Sequence, residues 1–298
     1  MLSDKKFDIE HALNMYADGF VLMPAWGIYE KDVLKQFKAR IAKSHIYVIG
    51  TIPAVELTDI RLDPGKLVTT ALVAGKAIEL EWPAPDGAKL VETERGWFLE
   101  KDGLYGVPSD EAIARRLNDE FNAVPFDVLY IGQAYGKDGS RNAVDRLLKH
   151  ETLQKISVKG IAPDRRLTLL LLEIVPGNRL ITIMNPWAEN RTDGKERIAA
   201  GLDKLFETTE AERVALFEAS LIRYFQPPFN KEFKDSFPST NLKILTDCYD
   251  KDFSAIVSEI CIDELPFKLS STEVAPAQYH CAKFDLHDDA ARQVFFGR

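Results

Sequence analysis

The chain has little cysteine, no long apolar run and no excess of positive charge, and each absence excludes a class of protein. Three cysteines at wide spacing, Cys248, Cys261 and Cys281, fit neither a disulfide framework nor a zinc-binding pattern. The most apolar run, residues 167–175, is interrupted by Glu173 and is too short to span a bilayer. The amino terminus has no apolar core of signal-peptide length. We therefore expect a reduced, cytoplasmic protein without a membrane partner.

The charge is acidic overall but uneven along the chain. Lysine and arginine number 38 against 46 aspartates and glutamates, and the net charge of −8 argues against a protein that covers its whole surface with nucleic acid. Residues 141–166, by contrast, hold seven basic and three acidic side chains. This segment is either a local face for nucleic acid or the ordinary solvated face of a helix.

A length of 298 residues exceeds that of one average domain. The patterning predicts an α/β (α+β) protein in three parts. We expect an N-terminal α/β accessory domain over residues 1–100, a small mixed sheet flanked by helices over 101–235, and a short, mostly β extension over 236–298. In the first part, a helix near residues 30–42 precedes a strand at 45–49.

The middle part begins with a helix that Ser109 caps and that ends near Phe121. A strand follows over residues 126–132. Ser140 is the expected N-cap of one continuous helix that runs to about Lys155.

A later helix begins and ends clearly. Thr209 and Glu212 fit a capping box, in which each side chain satisfies a free backbone N–H of the first turn. Pro227 ends the helix because proline lacks the backbone donor and clashes with the preceding turn. In the tail, short strands and a small helix over residues 288–294 are expected.

Several polar side chains on these elements suit the hydrolysis of a phosphodiester. That reaction needs an activated water, a group that neutralises charge on the nonbridging oxygens, and usually a metal. Arg146 and His150 are four residues apart, so one continuous helix would place them on the same face. Tyr130 lies near the end of the preceding strand, and Asn230 follows the later helix. Singly, each of these residues suits an ordinary packing or turn role, so the inference depends on their combination.

Glu218 is the most informative of these candidates. It lies four residues after Val214 and four before Ile222, which places its carboxylate on or beside the apolar stripe of the later helix. A carboxylate in that place is costly unless it is paired, hydrogen-bonded or bound to a metal. A salt bridge to Arg146 or to another arginine is the structural alternative.

Taken in order, these residues resemble the GIY-YIG nucleases. Tyr130-Ile-Gly resembles the family's second motif strand, Arg146 its helix arginine, and His150 the histidine of its homing-endonuclease branch. Glu218 and Asn230 resemble its metal-binding glutamate and the asparagine that follows. The resemblance covers under half of the chain. It implies that Glu218 holds one Mg²⁺ or Mn²⁺, that a tyrosine helps to activate water, and that Arg146 stabilises the charge of the phosphate.

The family also has a first motif strand, GIY, about ten residues before the second. That place holds a helix-like sequence here, so Gly103-Leu-Tyr105 is the expected substitute and Tyr105 becomes a sixth candidate residue. A literal Gly27-Ile-Tyr29 also occurs, but its distance and the helix that follows make coincidence the simpler interpretation. The loop over residues 133–140 holds two glycines before a helix N-terminus, a place where backbone N–H groups can cradle a phosphate.

The sequence thus predicts a metal-dependent endonuclease that hydrolyses nucleic-acid phosphodiester bonds, with DNA favoured over RNA. By family analogy it would act in restriction, mobile elements or phage defence, and a regulatory protein partner or a homo-oligomer is compatible with that role. Two alternatives stay open. One is a catalytically inactive module of the same fold that binds nucleic acid or protein, and the other is a small-molecule enzyme on an unrelated α/β fold.

Overall fold

The protein is a mixed α+β structure, as the sequence predicts. A computed structural model describes residues 4–94, 96–136, 140–159, 161–175, 179–238 and 242–296. Among these residues, no helix is both long enough and apolar enough to cross a membrane.

The strands of the described chain fall into one large sheet and two small ones. In chain order they are β1 (Ile9–Pro24), β2 (Ile46–Pro53), β3 (Val55–Asp63), β4 (Lys66–Val73), β5 (Lys76–Pro83), β6 (Lys89–Thr93), β7 (Gly96–Lys101), β8 (Leu104–Gly106), β9 (Pro125–Gln133), β10 (Arg165–Ile174), β11 (Arg179–Met184), β12 (Ala255–Cys261), β13 (Lys268–Ser270) and β14 (Tyr279–Asp285).

The helices lie mostly between these strands. They are α1 (Lys31–Gln36), α2 (Lys38–Ile41), α3 (Asp110–Phe121), α4 (Ala143–Leu147), α5 (Glu151–Val158), α6 (Gly194–Glu207), α7 (Glu210–Phe225) and α8 (Lys243–Asp250). A 3-10 helix, Ala25–Tyr29, follows β1 directly.

The large sheet has eight strands, in the order β13-β9-β2-β10-β1-β12-β14, with β11 paired to the first half of β1. All three segments expected from the sequence contribute to it. Strands β1 and β2 come from residues 1–100, β9 to β11 from 101–235, and β12 to β14 from 236–298. The sheet therefore crosses both expected boundaries, and the first hundred residues supply two of its inner strands.

Strands β2 and β9 are antiparallel neighbours in this sheet, although about 70 residues separate them in the chain. The intervening segment folds as two three-stranded sheets, β3-β4-β5 and β6-β7-β8, followed by α3. Its apolar contacts join the first of these sheets to the helix, with Val73 and Leu80 packed with Ile113 and Leu117. This inserted unit leaves the large sheet at the end of β2 and returns at the start of β9.

The large sheet buries a different apolar core on each face. Because side chains alternate along a strand, Ile46 and Val48 of β2 point into the core that contains α7. Tyr47 and Ile49 point the other way, into the core that contains α4 and α5. The two cores therefore bring different helices to the same pair of strands.

The N-terminal caps predicted for two helices are both formed. Ser109 accepts a hydrogen bond from the Ala112 N–H at the start of α3. At the start of α7, Thr209 and Glu212 form the reciprocal capping box. Helix α7 ends at Gln226, whose φ of +51° is left-handed, directly before the two prolines.

One predicted helix is wrong. The continuous helix from Ser140 to Lys155 is instead two short helices, because Asn142 and Asp145 form a capping box for α4 and His150 caps α5. The φ and ψ of His150, −91° and 110°, are extended and interrupt the helix. Arg146 and His150 thus lie on two elements instead of one helix face.

The tail also differs from expectation. Residues 288–294 form turns, in which the Arg292 N–H donates to the Asp289 oxygen at 2.9 Å. Helix α8 lies earlier, and its apolar residues Ile244, Leu245 and Cys248 join the core of α7. These three residues lie on one face of α8.

Candidate active site

Two tyrosines lie side by side at the paired ends of β2 and β9. Tyr130 is opposite Ile49, and Tyr47 is opposite Gly132 in the antiparallel register. The tyrosine rings are stacked, with centroids 6.2 Å apart and planes 28° apart. A Cβ at Gly132 would lie 2.5 Å from the Tyr47 hydroxyl oxygen, so only glycine leaves room for this ring. The glycine of the Tyr-Ile-Gly motif therefore makes space for the second tyrosine.

The tyrosine that lies beside Tyr130 is Tyr47 and not the expected Tyr105. Tyr105 lies on β8 in a separate small sheet, is 61% exposed, and lines a cavity with Leu104 and Trp82 of the inserted unit. The structure does not bring it to the tyrosine pair. The literal Gly27-Ile-Tyr motif forms the 3-10 helix and no strand.

A sequence signal for Tyr47 does exist. The strand at residues 45–49 reads His-Ile-Tyr-Val-Ile, so two of the three letters of GIY are in place. The expected spacing of about ten residues excluded this strand, because the inserted unit between β2 and β9 cannot be recognised from the motif alone.

His150 packs against both tyrosine rings. Its ring centroid is 5.4 Å from that of Tyr47 and 5.1 Å from that of Tyr130. Nδ1 accepts a hydrogen bond from the Leu153 N–H at 3.3 Å, so the neutral ring is assigned its proton on Nε2. Burial, together with the charge of Arg146, lowers the pKa of His150 to about 4. At neutral pH the ring is therefore uncharged and has an N–H to donate.

Arg146 supplies positive charge at the edge of this cluster. It follows Asp145 near the end of α4, and its side chain hydrogen-bonds with that of Tyr47. Together with Gln133 and Arg141 it lines a cavity of about 310 Å³. The cavity also contacts the glycine-containing loop, of which Gly136 lies on its wall and Gly139 lies outside the described residues. An anion in this cavity would meet two guanidinium groups.

Glu218 reaches the same end of β9 from α7. Its side chain is 9% exposed and accepts hydrogen bonds from the side chain and the backbone N–H of Gln133, the residue after Gly132. Burial raises the pKa of Glu218 to about 7 against the lowering effect of these bonds. The negative charge of Glu232 raises this pKa further, and the charge of Arg146 lowers it. Glu218 is thus a buried carboxylate that lacks a strong counter-charge.

Glu10 is also a buried carboxylate, but it has strong counter-charges. Glu10 is 1% exposed, but Arg197 Nη2 lies 2.7 Å from its Oε2 and Arg292 Nε lies 2.8 Å from its Oε1. Within the described ranges, Glu218 takes part in no ion pair, so the direct salt bridge to Arg146 is not formed. The two buried carboxylates therefore differ in their partners: arginines hold Glu10, whereas Gln133 hydrogen-bonds Glu218.

Asn230 fixes the outer edge of β9 next to Tyr130. Its Oδ1 accepts from the Ile131 N–H at 2.9 Å, and its Nδ2 donates to the Ile131 carbonyl at 2.8 Å. The neighbouring Phe229 N–H donates to the Leu129 carbonyl at 3.1 Å. The amide side chain therefore replaces a strand partner, and Asn230 positions the site without facing the tyrosine rings as a reactant.

Replacing Asn230 by alanine should lower the free energy of unfolding by about 2–4 kcal/mol, because two buried peptide groups lose their partners. Chemical denaturation measures this change. The matched control is Asn142→Ala, which removes an exposed helix cap and should cost about 1 kcal/mol. A loss for Asn230→Ala no larger than that of the control would contradict the positioning role.

A divalent metal fits the donors that are present. The structure contains no ligands, and its described residues include no cluster of three or more His, Cys, Asp or Glu side chains that could hold a metal. Mg²⁺, however, commonly takes one or two carboxylates and completes its shell with water and substrate phosphates. Glu218 is such a carboxylate, and burial of its negative charge, which raises its pKa, would cost less with a cation beside it.

The site thus joins five side chains from five elements: Tyr47 of β2, Tyr130 of β9, Arg146 of α4, His150 at the cap of α5 and Glu218 of α7. Asn230 supports them, and Tyr105 is absent from the group. No protein-family model, no curated protein and no solved structure matches the chain.

Proposed function

We propose that the protein is a metal-dependent endonuclease that hydrolyses phosphodiester bonds of nucleic acid, and of DNA in preference to RNA. The observation that carries this proposal is the position of Glu218. A buried carboxylate with a pKa near 7 lies within electrostatic reach of an arginine and two tyrosines, which belong to separate elements. The two Gln133 hydrogen bonds offset only part of the cost of burying it, since its pKa stays raised.

Arg146 and Arg141 would receive the phosphate in the cavity that they line. Hydrolysis adds a water oxygen to phosphorus, breaks one bridging P–O bond and gives a proton to the leaving oxygen. Negative charge grows on the nonbridging oxygens during this step, and guanidinium groups placed there stabilise it. Arg146 also holds the Tyr47 hydroxyl, so charge stabilisation and positioning are linked in one side chain.

The tyrosines act in their protonated form. Burial raises the pKa of both Tyr47 and Tyr130 above the ordinary value of 10.0, so both phenols keep their protons at neutral pH. Their hydroxyl groups can orient the attacking water by hydrogen bonding. His150 cannot accept a proton at Nδ1, which is already occupied, and its packing against both rings makes it a positioning residue for them.

Glu218 is the residue that would hold Mg²⁺ or Mn²⁺. When bound, such an ion acts as a Lewis acid on the phosphate and lowers the pKa of water. Gln133 supports this role from the end of β9, because its two hydrogen bonds to Glu218 fix the direction of the carboxylate.

The test is cleavage of supercoiled plasmid, linear duplex, single-stranded DNA and RNA in Mg²⁺, Mn²⁺ or EDTA. The proposal expects cutting that requires a metal and that is faster on DNA. Cutting that continues in EDTA would contradict it. Binding of DNA without cutting under any condition would favour the inactive binding module, and folded protein that neither cuts nor binds would reject both.

A pair of tyrosine variants tests the composition of the site. Tyr47→Phe should reduce cleavage at least tenfold, because it removes the hydroxyl that Arg146 holds beside Tyr130. Tyr105→Phe is the matched control and should cleave at the native rate, since its hydroxyl is exposed on the inserted unit. Initial rates on the preferred polymer measure both. Equal rates for the two variants would remove Tyr47 from the site.

A further inference from the structure

A larger cavity, about 810 Å³, lies where β1, β2 and β10 meet α5. Most of its apolar lining belongs to the core on the tyrosine side of the large sheet, while Leu22 and Ile52 pack against the core on the other side. The cavity lies between the 3-10 helix and α5. Met23 of β1, Thr168 of β10 and Leu153 of α5 contribute to its walls, and none of the five site residues lines it. The cavity is therefore a separate feature of the surface next to the site.

Two aromatic side chains stand open at this cavity. Trp26 is 62% exposed and Tyr29 is 65% exposed, whereas Gly27 and Ile28 between them are buried. The buried pair anchors the 3-10 helix to the core, so the two rings are presented on a fixed support. Exposed rings of this kind offer flat apolar faces for stacking at a small cost in conformational entropy.

Polar groups complete the lining. Gln154 and Ser157 reach the cavity from α5, and Arg166 reaches it from the first residues of β10. Arg165 bonds to Asp127, but Arg166 makes none of the ion pairs found within the described part of the chain. Stacking rings, an amide, a hydroxyl and an available guanidinium together suit a planar heterocycle that carries a phosphate.

Helix α5 connects this cavity with the candidate active site. His150 caps its first turn, and Gln154 and Ser157 follow four and seven residues later. At 1.5 Å per residue, they lie about 6 and 10 Å along the helix from His150. Along β2, Ile46 is paired with Gln133 at the smaller cavity and is six residues, or about 20 Å, from Ile52 at the larger one. This distance matches about three nucleotides of an extended single strand.

We infer that this cavity binds one unstacked nucleobase of the substrate strand, about three nucleotides from the phosphate that is cut. The inference rests on the proposed function and adds a substrate class to it. A base enters such a cavity only after it leaves its stack, which is least costly where the base is mismatched, bulged or already single-stranded. The preferred substrate is therefore DNA with an unpaired base about three nucleotides from the scissile bond.

Charge favours nucleic acid over an apolar protein segment as the occupant. Seven of the residues that line the cavity belong to the segment 141–166 or directly follow it: Leu153, Gln154, Ser157, Val158, Arg166, Leu167 and Thr168. That segment has four more basic than acidic side chains, in a chain whose net charge is −8. A polyanion would be attracted to this part of the surface and repelled by the rest.

The test measures binding of fluorescent 12-nucleotide single strands, perfect duplexes and duplexes with one unpaired base, in EDTA so that no cutting occurs. Trp26→Ala and Tyr29→Ala should each weaken binding of the unpaired-base substrates by about 5- to 150-fold, the range for loss of one stacking ring. Trp26→Phe should restore most of the affinity. Trp187→Ala, which removes a tryptophan that is 68% exposed elsewhere, is the matched control and should bind as the native protein does.

The position of the base is tested with 2-aminopurine placed in turn at each of the three nucleotides on either side of the cut. Its fluorescence should change on binding at one position only, and an abasic site at that position should weaken the native protein but not Trp26→Ala. Equal losses with and without the base would show a backbone contact and overturn the inference. Normal binding of every substrate by Trp26→Ala would also overturn the inference. So would a Trp26→Ala protein whose self-association changes while its binding of nucleic acid does not.

The two proposals fail separately in these experiments. If Trp26→Ala binds and cuts like the native protein in the presence of metal, the nuclease proposal stands and the base-site proposal is rejected. If binding depends on Trp26 and on the base but no metal supports cutting, the base-site proposal stands and the nuclease proposal is rejected.

Discussion

Replacing Glu218 by glutamine should reduce metal-dependent cleavage at least about a thousandfold. In the described part of the site, Glu218 is the carboxylate that is buried, unpaired and oriented by Gln133. Glutamine keeps the shape and the hydrogen-bonding oxygen but removes the charge that a divalent cation needs. Initial rates in Mg²⁺ and Mn²⁺ on the preferred polymer, together with binding of Mn²⁺, measure the loss.

The same substitution should stabilise the fold, which separates a chemical loss from unfolding. Burial raises the pKa of Glu218 from 4.5 to about 7, and such a difference corresponds to about 3 kcal/mol that the ionised group costs the folded state. Glu218→Gln should therefore raise the free energy of unfolding at pH 8 by up to about 3 kcal/mol. The control is Glu196→Gln on the exposed first turn of α6, which should change neither stability nor cleavage much. A Glu218→Gln protein that cuts at the native rate would overturn the proposed site.

Lowering the pH from 7 to 5 should reduce cleavage about fiftyfold when the metal is well below saturation. Only the ionised Glu218 binds a cation, and with a pKa of about 7 its ionised fraction falls from about one half at pH 7 to about one hundredth at pH 5. His150 does not produce this change, because its pKa is lowered to about 4 and it stays neutral across the range.

Stability should move in the opposite direction over the same range. The pKa of Glu218 is higher in the folded chain than in the unfolded chain, so its protonated form stabilises the fold fully below about pH 4.5. That contribution is lost as the pH rises through about 7. Thermal or chemical unfolding of the native protein and of Glu218→Gln across pH 4–8 isolates the contribution, since the variant lacks it. An activity midpoint near pH 4.5, or no difference between the two stability profiles, would contradict a buried, unpaired carboxylate.

The sequence predicts some parts of this site because the signals are local. The capping box of Thr209 and Glu212, the apolar stripe of α7 and the position of Glu218 on it all depend on residues within one helix. The strand that carries Tyr130 is predicted to within one residue at either end. Periodicity and capping act over a few residues, so no tertiary information is needed for them.

The errors occur where side chains compete with the backbone or where pairing is distant. The spacing from Arg146 predicts His150 on a helix face, but its Nδ1 accepts a hydrogen bond from a backbone N–H, and this cap begins a new helix. Tyr47 was not assigned, because its partner strand lies about 70 residues away. Asn230 was identified as part of the site, but its bonds to Ile131 become visible only once the edge of β9 is known.

The inserted unit between β2 and β9 has a consequence for the thermodynamics of chain closure. The entropy lost on joining two strands grows only with the logarithm of the intervening length, by about 0.6 kcal/mol for each doubling. Compared with a five-residue loop between β2 and β9, the inserted unit of about 70 residues therefore adds only about 2 kcal/mol to the entropic cost of pairing these strands. Because the unit has its own small core, its length and sequence can change over evolution while the register that holds Tyr47 opposite Gly132 is kept.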